Sequence, residues 1–288
     1  MLGAECVGVF LFLSAYGLMN NYDKKGGDYL HGFVKHRIGR VIIPLITTYA
    51  FSLSVYAVFK APIDWSLVWE TLYWGGPYIR FSWFVSEIVV LYLLFYICAK
   101  VDRYRQKKGN LLIVSLSCAV LILTIVLFVS KQPVWYINGL PCFILGLWYQ
   151  RYEAKVTGFL YGWRGKGIAI LVVALFVILF QWSDVTSYMG VMTRYRDEYI
   201  SLYMTNILYV LVIAYLIGHS LRYENTPPYL KNVVSSSYEI YLIQNACMIA
   251  CDTFISSRGL FIICTLVMSI LMGWVMNQAN SRIQKYLL

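Results

Sequence analysis

The chain has 288 residues, 60% of them hydrophobic and 13% charged, with a formal net charge of +10 and a mean hydropathy of +0.64. A soluble domain is about 25% charged and about 45–50% apolar, and a soluble core of this length cannot bury so much apolar surface. A cytosolic globular enzyme, a disordered chain and a secreted disulfide scaffold are excluded, which leaves an all-α, polytopic membrane protein. The 25 Tyr, 15 Phe and 9 Trp suit it, because Tyr and Trp favour the membrane interface.

A helix needs roughly 20 mainly apolar residues to cross a bilayer. Nine runs are predicted to do so: 4–20, 41–59, 81–99, 111–130, 134–149, 167–182, 199–218, 233–252 and 259–279. The first begins almost at Met1 and carries no Lys or Arg, so it lacks the positive leading region of a signal peptide. The fifth is short and holds Pro141, which predicts a tilted, kinked or partly interfacial helix. The eighth is the most polar. No internal repeat, low-complexity stretch or separate soluble region interrupts the series, so residues 1–288 read as one membrane-embedded domain.

The basic residues support this count. They sit in short loops between apolar runs, which argues for anionic lipid headgroups and against nucleic acid. Nine spans place Lys24, Lys25, Lys35, Arg37 and Arg40 on one face together with Lys100, Arg103, Arg105, Lys107 and Lys108. Arg151, Lys155, Arg164, Lys166, Arg222, Lys231, Arg282 and Lys285 join them. The opposite face holds Lys60, Arg80, Lys131, Arg194, Arg196 and Arg258. Lys and Arg accumulate on the cytoplasmic side, so the C-terminus is expected in the cytoplasm and the protein in a bacterial inner membrane. Odd span number then leaves the N-terminus outside, with no hydrophilic tail, and one further helix upstream is expected.

Ionisable residues at membrane depth are functional candidates by default. Glu87 is expected about two turns into the third span from the outer face. Functional and interhelical hydrogen-bonding roles are both open for it. Glu239 reads as an interhelical hydrogen bonder and Asp252 as a solvated helix end. Arg37 and Arg40, three apart, would share a helix face. They can hold the phosphates of a nucleotide-like donor or anchor the span to lipid phosphate, and the spacing alone favours the anchor. His31, His36 and His219 fall near the cytoplasmic face. There is no CxxC, zinc ligand set, GxSxG, phosphate loop or dinucleotide fingerprint. The seven cysteines lie in or beside apolar runs and read as buried small hydrophobes. Composition and spacing alone are compatible with a transporter or a membrane enzyme.

Four stretches, in order, resemble the acyltransferase 3 family of bacterial membrane O-acyltransferases. Gly8-Val9-Phe10-Leu11-Phe12-Leu13-Ser14-Ala15-Tyr16-Gly17 resembles the family's second helix, with Ala15-Tyr16 in place of Gly-Phe. Arg37-Ile38-Gly39-Arg40, followed by Pro44, matches the R-x-x-R motif and its proline. Ser82-Trp83-Phe84-Val85 resembles the start of a later helix. Ser237-Tyr238-Glu239-Ile240-Tyr241-Leu242 matches the S-Y-x-x-Y-L signature, and Phe143-Ile144-Leu145-Gly146 is a weaker fifth match. The family's first helix, which carries an Arg and a His regarded as the catalytic base, has no counterpart here. The His that usually follows the last signature is Gln244, which hydrogen-bonds but cannot serve as a proton-transfer base.

The resemblance implies acyl transfer, most often of acetyl, from cytoplasmic acyl-CoA to a sugar hydroxyl of a lipid-linked or growing glycan. It implies no bound cofactor and no metal, with acyl-CoA as co-substrate and membrane lipids and the glycan as partners. Arg37 and Arg40 would bind the donor, while Trp83, Glu87, Tyr238, Tyr241 and Gln244 would line the acceptor pocket. Glu87 is the one candidate base. Two other readings stand beside this one: an exporter of polysaccharide or metabolite, and an inactive fragment or structural partner of a glycan-synthesis complex.

Overall fold

A computed structural model describes residues 2–59, 63–74, 78–79, 82–105, 109–160, 163–188, 203–213, 215 and 235–288. All regular structure among them is helical. In chain order the helices are α1 (Leu2–Lys25), α2 (Gly39–Phe59), α3 (Trp65–Trp74), α4 (Trp83–Tyr104) and α5 (Asn110–Val129). Then come α6 (Leu140–Leu160), α7 (Trp163–Tyr188), α8 (Tyr203–Ile213), α9 (Ser237–Phe254) and α10 (Arg258–Leu287). Among the described residues, α2 with the turn before it (Val34–Phe59), α4, α5 and α10 are each long and apolar enough to cross a membrane. The protein is therefore an all-α membrane helix bundle.

Helices α1, α6, α7 and α9 cover the predicted runs at 4–20, 134–149, 167–182 and 233–252, with shifted ends. The run at 199–218 is described only at 203–213 and 215. Residues 233–234, His219, Arg222, Lys231, Arg194, Arg196, Lys60, Arg80, Phe81, Lys107 and Lys108, and the side chain of Arg164, lie outside the described residues.

Two expectations are corrected. Residues Val134–Tyr136 form a 3-10 turn, and α6 starts only at Leu140. Pro141 therefore occupies the first helical turn, where a missing N–H breaks no helix bond. The bend in α6 is at Tyr152 (φ −111°, ψ 16°). The connection between the second and third predicted spans, read as a loop, instead contains α3 and then Tyr78 and Ile79, both fully buried.

The chain divides into two compact units, Met1–His31 with Leu94–Glu224 and Gly32–Leu93 with Asn225–Leu288. In the first unit, α1 lies directly on α6. A Cβ added to Gly146 would sit 2.9 Å from the Ala15 Cβ and 3.0 Å from the Phe12 carbonyl carbon. Only glycine allows that approach, and Ala15 is the small residue facing it. Tyr16 donates its hydroxyl proton to Glu153 at 2.8 Å and adds a polar tie to the same seam. At the end of this unit the buried Asp102 carboxylate accepts from the Gly109 N–H (2.8 Å), the Leu112 N–H (3.0 Å) and the Tyr22 hydroxyl (3.1 Å). A residue of α4 thus caps the first turn of α5, satisfying N–H groups that a helix start leaves open.

In the second unit α2, α9 and α10 pack together. Gly273 lets α10 approach the Ile240 backbone so closely that an added Cβ would meet its N and Cα at 2.8 Å. A chain of polar side chains crosses all three helices. The Thr47 hydroxyl donates to Asn280 Oδ1 at 2.7 Å, and Asn280 Nδ2 donates to Glu239 Oε1 at 3.3 Å. Such interhelical bonds are a common cement where apolar side chains have no preference for one another over lipid.

Candidate functional site

The R-x-x-R segment begins on a π-helical turn, Val34–Ile38, which runs into α2. Such turns are rare and recur at functional sites. Arg37 is half-buried and Arg40 exposed. Pro44 has no N–H to bond the Arg40 carbonyl four residues earlier. Gln284 Nε2 faces that carbonyl at 3.5 Å, and the Tyr238 hydroxyl donates to the next carbonyl, Val41, at 2.9 Å. Leu288 packs where a Cβ on Gly39 would have to go. The proline and the tyrosine of two distant motifs therefore act on adjacent peptide groups, and the end of α10 completes the arrangement.

The heights of the other candidates follow from two parallel helices. Helices α2 and α9 are tied at one end by Tyr238 and Val41 and at the other by the Phe59–Phe254 ring contact, 5.7 Å between centroids. Asn245 lies between the two ends, and its Nδ2 donates to the Tyr78 carbonyl at 3.3 Å. The irregular backbone at Tyr78–Ile79 is therefore near mid-height of these two helices. Helix α4 consequently starts deep. Trp83 opens it, the Phe84 ring is 6.3 Å from Trp83 and 5.7 Å from Tyr241. Tyr92 then meets Phe33 at 6.3 Å, just before the arginine segment.

Glu87 sits between these two levels, about 7.5 Å along the axis from Tyr92 at 1.5 Å per residue. It was expected two turns in from the outer face. The mid-height position of Tyr78–Ile79 instead places it on the arginine side of the middle. Glu87 is 7% exposed, and among the described residues neither of its carboxyl oxygens has a hydrogen-bond partner. A buried polar group without a partner is costly, and such groups mark sites where a ligand supplies what the fold withholds.

The structure thus brings the Tyr238 hydroxyl to the backbone beside Arg40, and brings Tyr241 to Phe84, the α4 residue next to Trp83 and one turn before Glu87. Gln244 shares a helical face with Tyr241, three residues away. It is half-buried. Glu239 is engaged by Asn280, as its interhelical reading expects. Asp252, His31 and His36 are exposed. Among the described residues no three His, Cys, Asp or Glu side chains form a group fit for a metal ion. The described cysteines are free, with Cys98, Cys142, Cys247 and Cys251 buried, Cys264 half-buried and Cys118 exposed.

Asn277, Asn280 and Gln284 were missed from the sequence. Asn277 donates to Ser236 at 3.2 Å, beside the S-Y-x-x-Y-L stretch. Their spacing of three and four along α10 was the available signal, but the ninth apolar run was ended at 279 and the helix continues to Leu287.

A sequence model described as an acyltransferase domain, that of the acyltransferase 3 family, matches residues 1–278 of this chain. The chain belongs to the acyltransferase 3 family. No curated protein and no solved structure matches it. As a membrane acyltransferase it needs a donor site, an acceptor site and a route for one proton, and the second unit holds candidates for each. Cations on the π-turn suit a phosphate-bearing donor, aromatic rings around Trp83 suit an apolar wall, and Glu87 is a carboxyl group without a hydrogen-bond partner among the described residues.

Proposed function

We propose that this acyltransferase moves an acyl group, acetyl in the first instance, from cytoplasmic acyl-CoA to a hydroxyl of a cell-surface or exopolysaccharide glycan. In this reading the membrane is the bacterial inner membrane, crossed by multiple helices with the C-terminus in the cytoplasm. The family match over residues 1–278 supports the reaction class. The single observation that carries the site is Glu87, buried and without a hydrogen-bond partner among the described residues, between the Phe84–Tyr241 ring contact and the level of the arginine segment.

Arg37 and Arg40 bind the donor phosphates, for which the planar guanidinium is suited. The acceptor hydroxyl oxygen attacks the thioester carbonyl carbon, and its proton passes to the Glu87 carboxylate. The C–S bond breaks, CoA leaves as a thiolate and recovers a proton, and an ester remains on the sugar. General-base assistance of this kind contributes on the order of 10²–10⁴ in rate. Tyr238, Tyr241 and Gln244 position the reacting groups, since none of them is a base near neutral pH.

The test is acyl incorporation into glycan by cells or vesicles carrying Arg37→Ala with Arg40→Ala, with membrane insertion measured alongside. Loss of incorporation with normal insertion is expected. Full activity in the double variant would remove the donor-site assignment. Unchanged acylation together with altered glycan distribution on deletion of the protein would instead favour export.

A further inference from the structure

Helices α9 and α10 run antiparallel, and their shared face is rich in sulfur. Cys247 and Cys251 lie one turn apart on α9, and both are buried. Cys264, Met268, Met272 and Met276 follow at every fourth position of α10, so each lies near the next along one side of that helix. The Cys251 thiol donates to the Met268 thioether at 3.5 Å. Met272 and Met276 pack against the cluster of Ile243, Ala246 and Cys247. Cys247 and Met272 therefore form the rung next to Cys251 and Met268, in the register that also brings Asn280 to Glu239.

Each of these sulfurs by itself reads as a soft core residue. Together they form a donor set with a chemical preference. Thiolate and thioether ligands select monovalent copper, whereas zinc takes thiolate, imidazole and carboxylate. Among the described residues no three His, Cys, Asp or Glu offer a harder ion a site. Burial points the same way. A ligating thiol gives up its proton, and one thiolate cancels one positive charge, so a monovalent ion leaves the seam neutral where net charge is costly. A divalent ion would need both thiols ionised to reach the same neutrality. Access exists from one end. Cys251 lies about 4.5 Å along the axis from the last residue of α9, at 1.5 Å per residue, and Met268 and Asp252 beside it are exposed.

We propose that Cys251 and Met268, with Cys247 and Met272 on the next rung, form a binding site for cuprous ion. The Cys251 thiol loses its proton to solvent, its sulfur bonds the ion, and the Met268 thioether bonds it from α10. Cys247, which shares a hydrogen bond with Ser269, and Met272 complete the set. The bound ion clamps α9 to α10. The site is independent of the acyl-transfer reading, and no step of that reaction passes through it.

The experiment uses the full-length protein in detergent with ascorbate as reductant. Ala replaces Cys6, Cys98, Cys118, Cys142 and Cys264, so that Cys247 and Cys251 are the thiols that remain. Copper(I) is offered as its coloured bicinchoninate complex, and the loss of colour counts the ions taken up. Uptake of a single ion per chain is expected, abolished in Cys251→Ala and weakened on the order of tenfold in Met268→Leu. Undiminished uptake in Cys247→Ala with Cys251→Ala, or Met268→Leu binding as tightly as its parent, overturns the site. Tighter binding of zinc than of copper(I) overturns the choice of ion. Should the five-fold variant fail to fold, the unsubstituted chain decides. Copper(I) is expected to raise its melting temperature and to leave that of Cys247→Ala with Cys251→Ala unmoved. An equal rise in both proteins overturns the site.

Discussion

Two buried carboxylates divide the labour of this protein. Asp102, in the first unit, is 1% exposed and accepts three hydrogen bonds. Glu87, in the second, is 7% exposed and accepts none from the described residues. Both lie on α4 and both are withdrawn from water, so burial alone does not separate them. What separates them is whether the fold has spent its own donors on the group. Asp102 holds a turn and a helix start in place, which makes it a structural residue. Glu87 receives no hydrogen bond from the described residues, which is why the proposed function turns on it.

Substitutions at the two positions should therefore move stability and activity in opposite ways. Asp102→Ala strands the Gly109 and Leu112 N–H groups and leaves the Tyr22 hydroxyl only the Ala99 carbonyl at 3.3 Å, and should cost on the order of 3 kcal/mol. A drop in the detergent melting temperature of the purified protein registers it. Glu87→Leu removes an unsatisfied buried group and should leave that temperature unchanged or raise it, by about 1 kcal/mol in stability, while acyl incorporation is lost. If Glu87→Leu melts as early as Asp102→Ala, the contrast between the two carboxylates collapses.

Smaller effects sharpen it. Asn280→Ala cuts the link between Thr47 and Glu239 and should cost about 0.6 kcal/mol, typical of interhelical hydrogen bonds in a bilayer. Activity should survive, because Glu239 is a structural carboxylate of the Asp102 kind. Loss of activity with unchanged melting would move Glu239 into the site. The smallest effect concerns Tyr22, past the first apolar run. Burial, and then the Asp102 carboxylate, pushes its hydroxyl up to about 12 from 10.0. A raised tyrosine pKa means the folded state holds the proton more tightly. Its contribution is complete below pH 10 and is lost as pH climbs toward 12. Melting followed from pH 9 to 12 should fall less steeply in Tyr22→Phe than in the parent, and parallel curves would contradict the hydrogen bond.

The acyltransferase fold class was legible in the residues because helix formation is local. Backbone bonds span four residues, and an apolar run long enough for a bilayer announces itself. The order of the short motifs was legible for the same reason, and so were Arg37, Arg40, Tyr238 and Tyr241 as candidates. The sequence alone also separated Glu239, near a helix start, from Glu87, deeper in a span.

Tertiary structure decided the rest. Nothing near residue 87 in the chain states that Tyr78 and Ile79 lie at mid-height, because that is fixed by Asn245 reaching Tyr78 across 167 positions. Nothing near Glu239 names Asn280, and although Pro44 signals an open carbonyl at Arg40, nothing nearby names Gln284 as the group that faces it. Periodicity reports which face of a helix is apolar. It does not report how far one helix slides along another, and that sliding sets the depth of Glu87 and the identity of its neighbours.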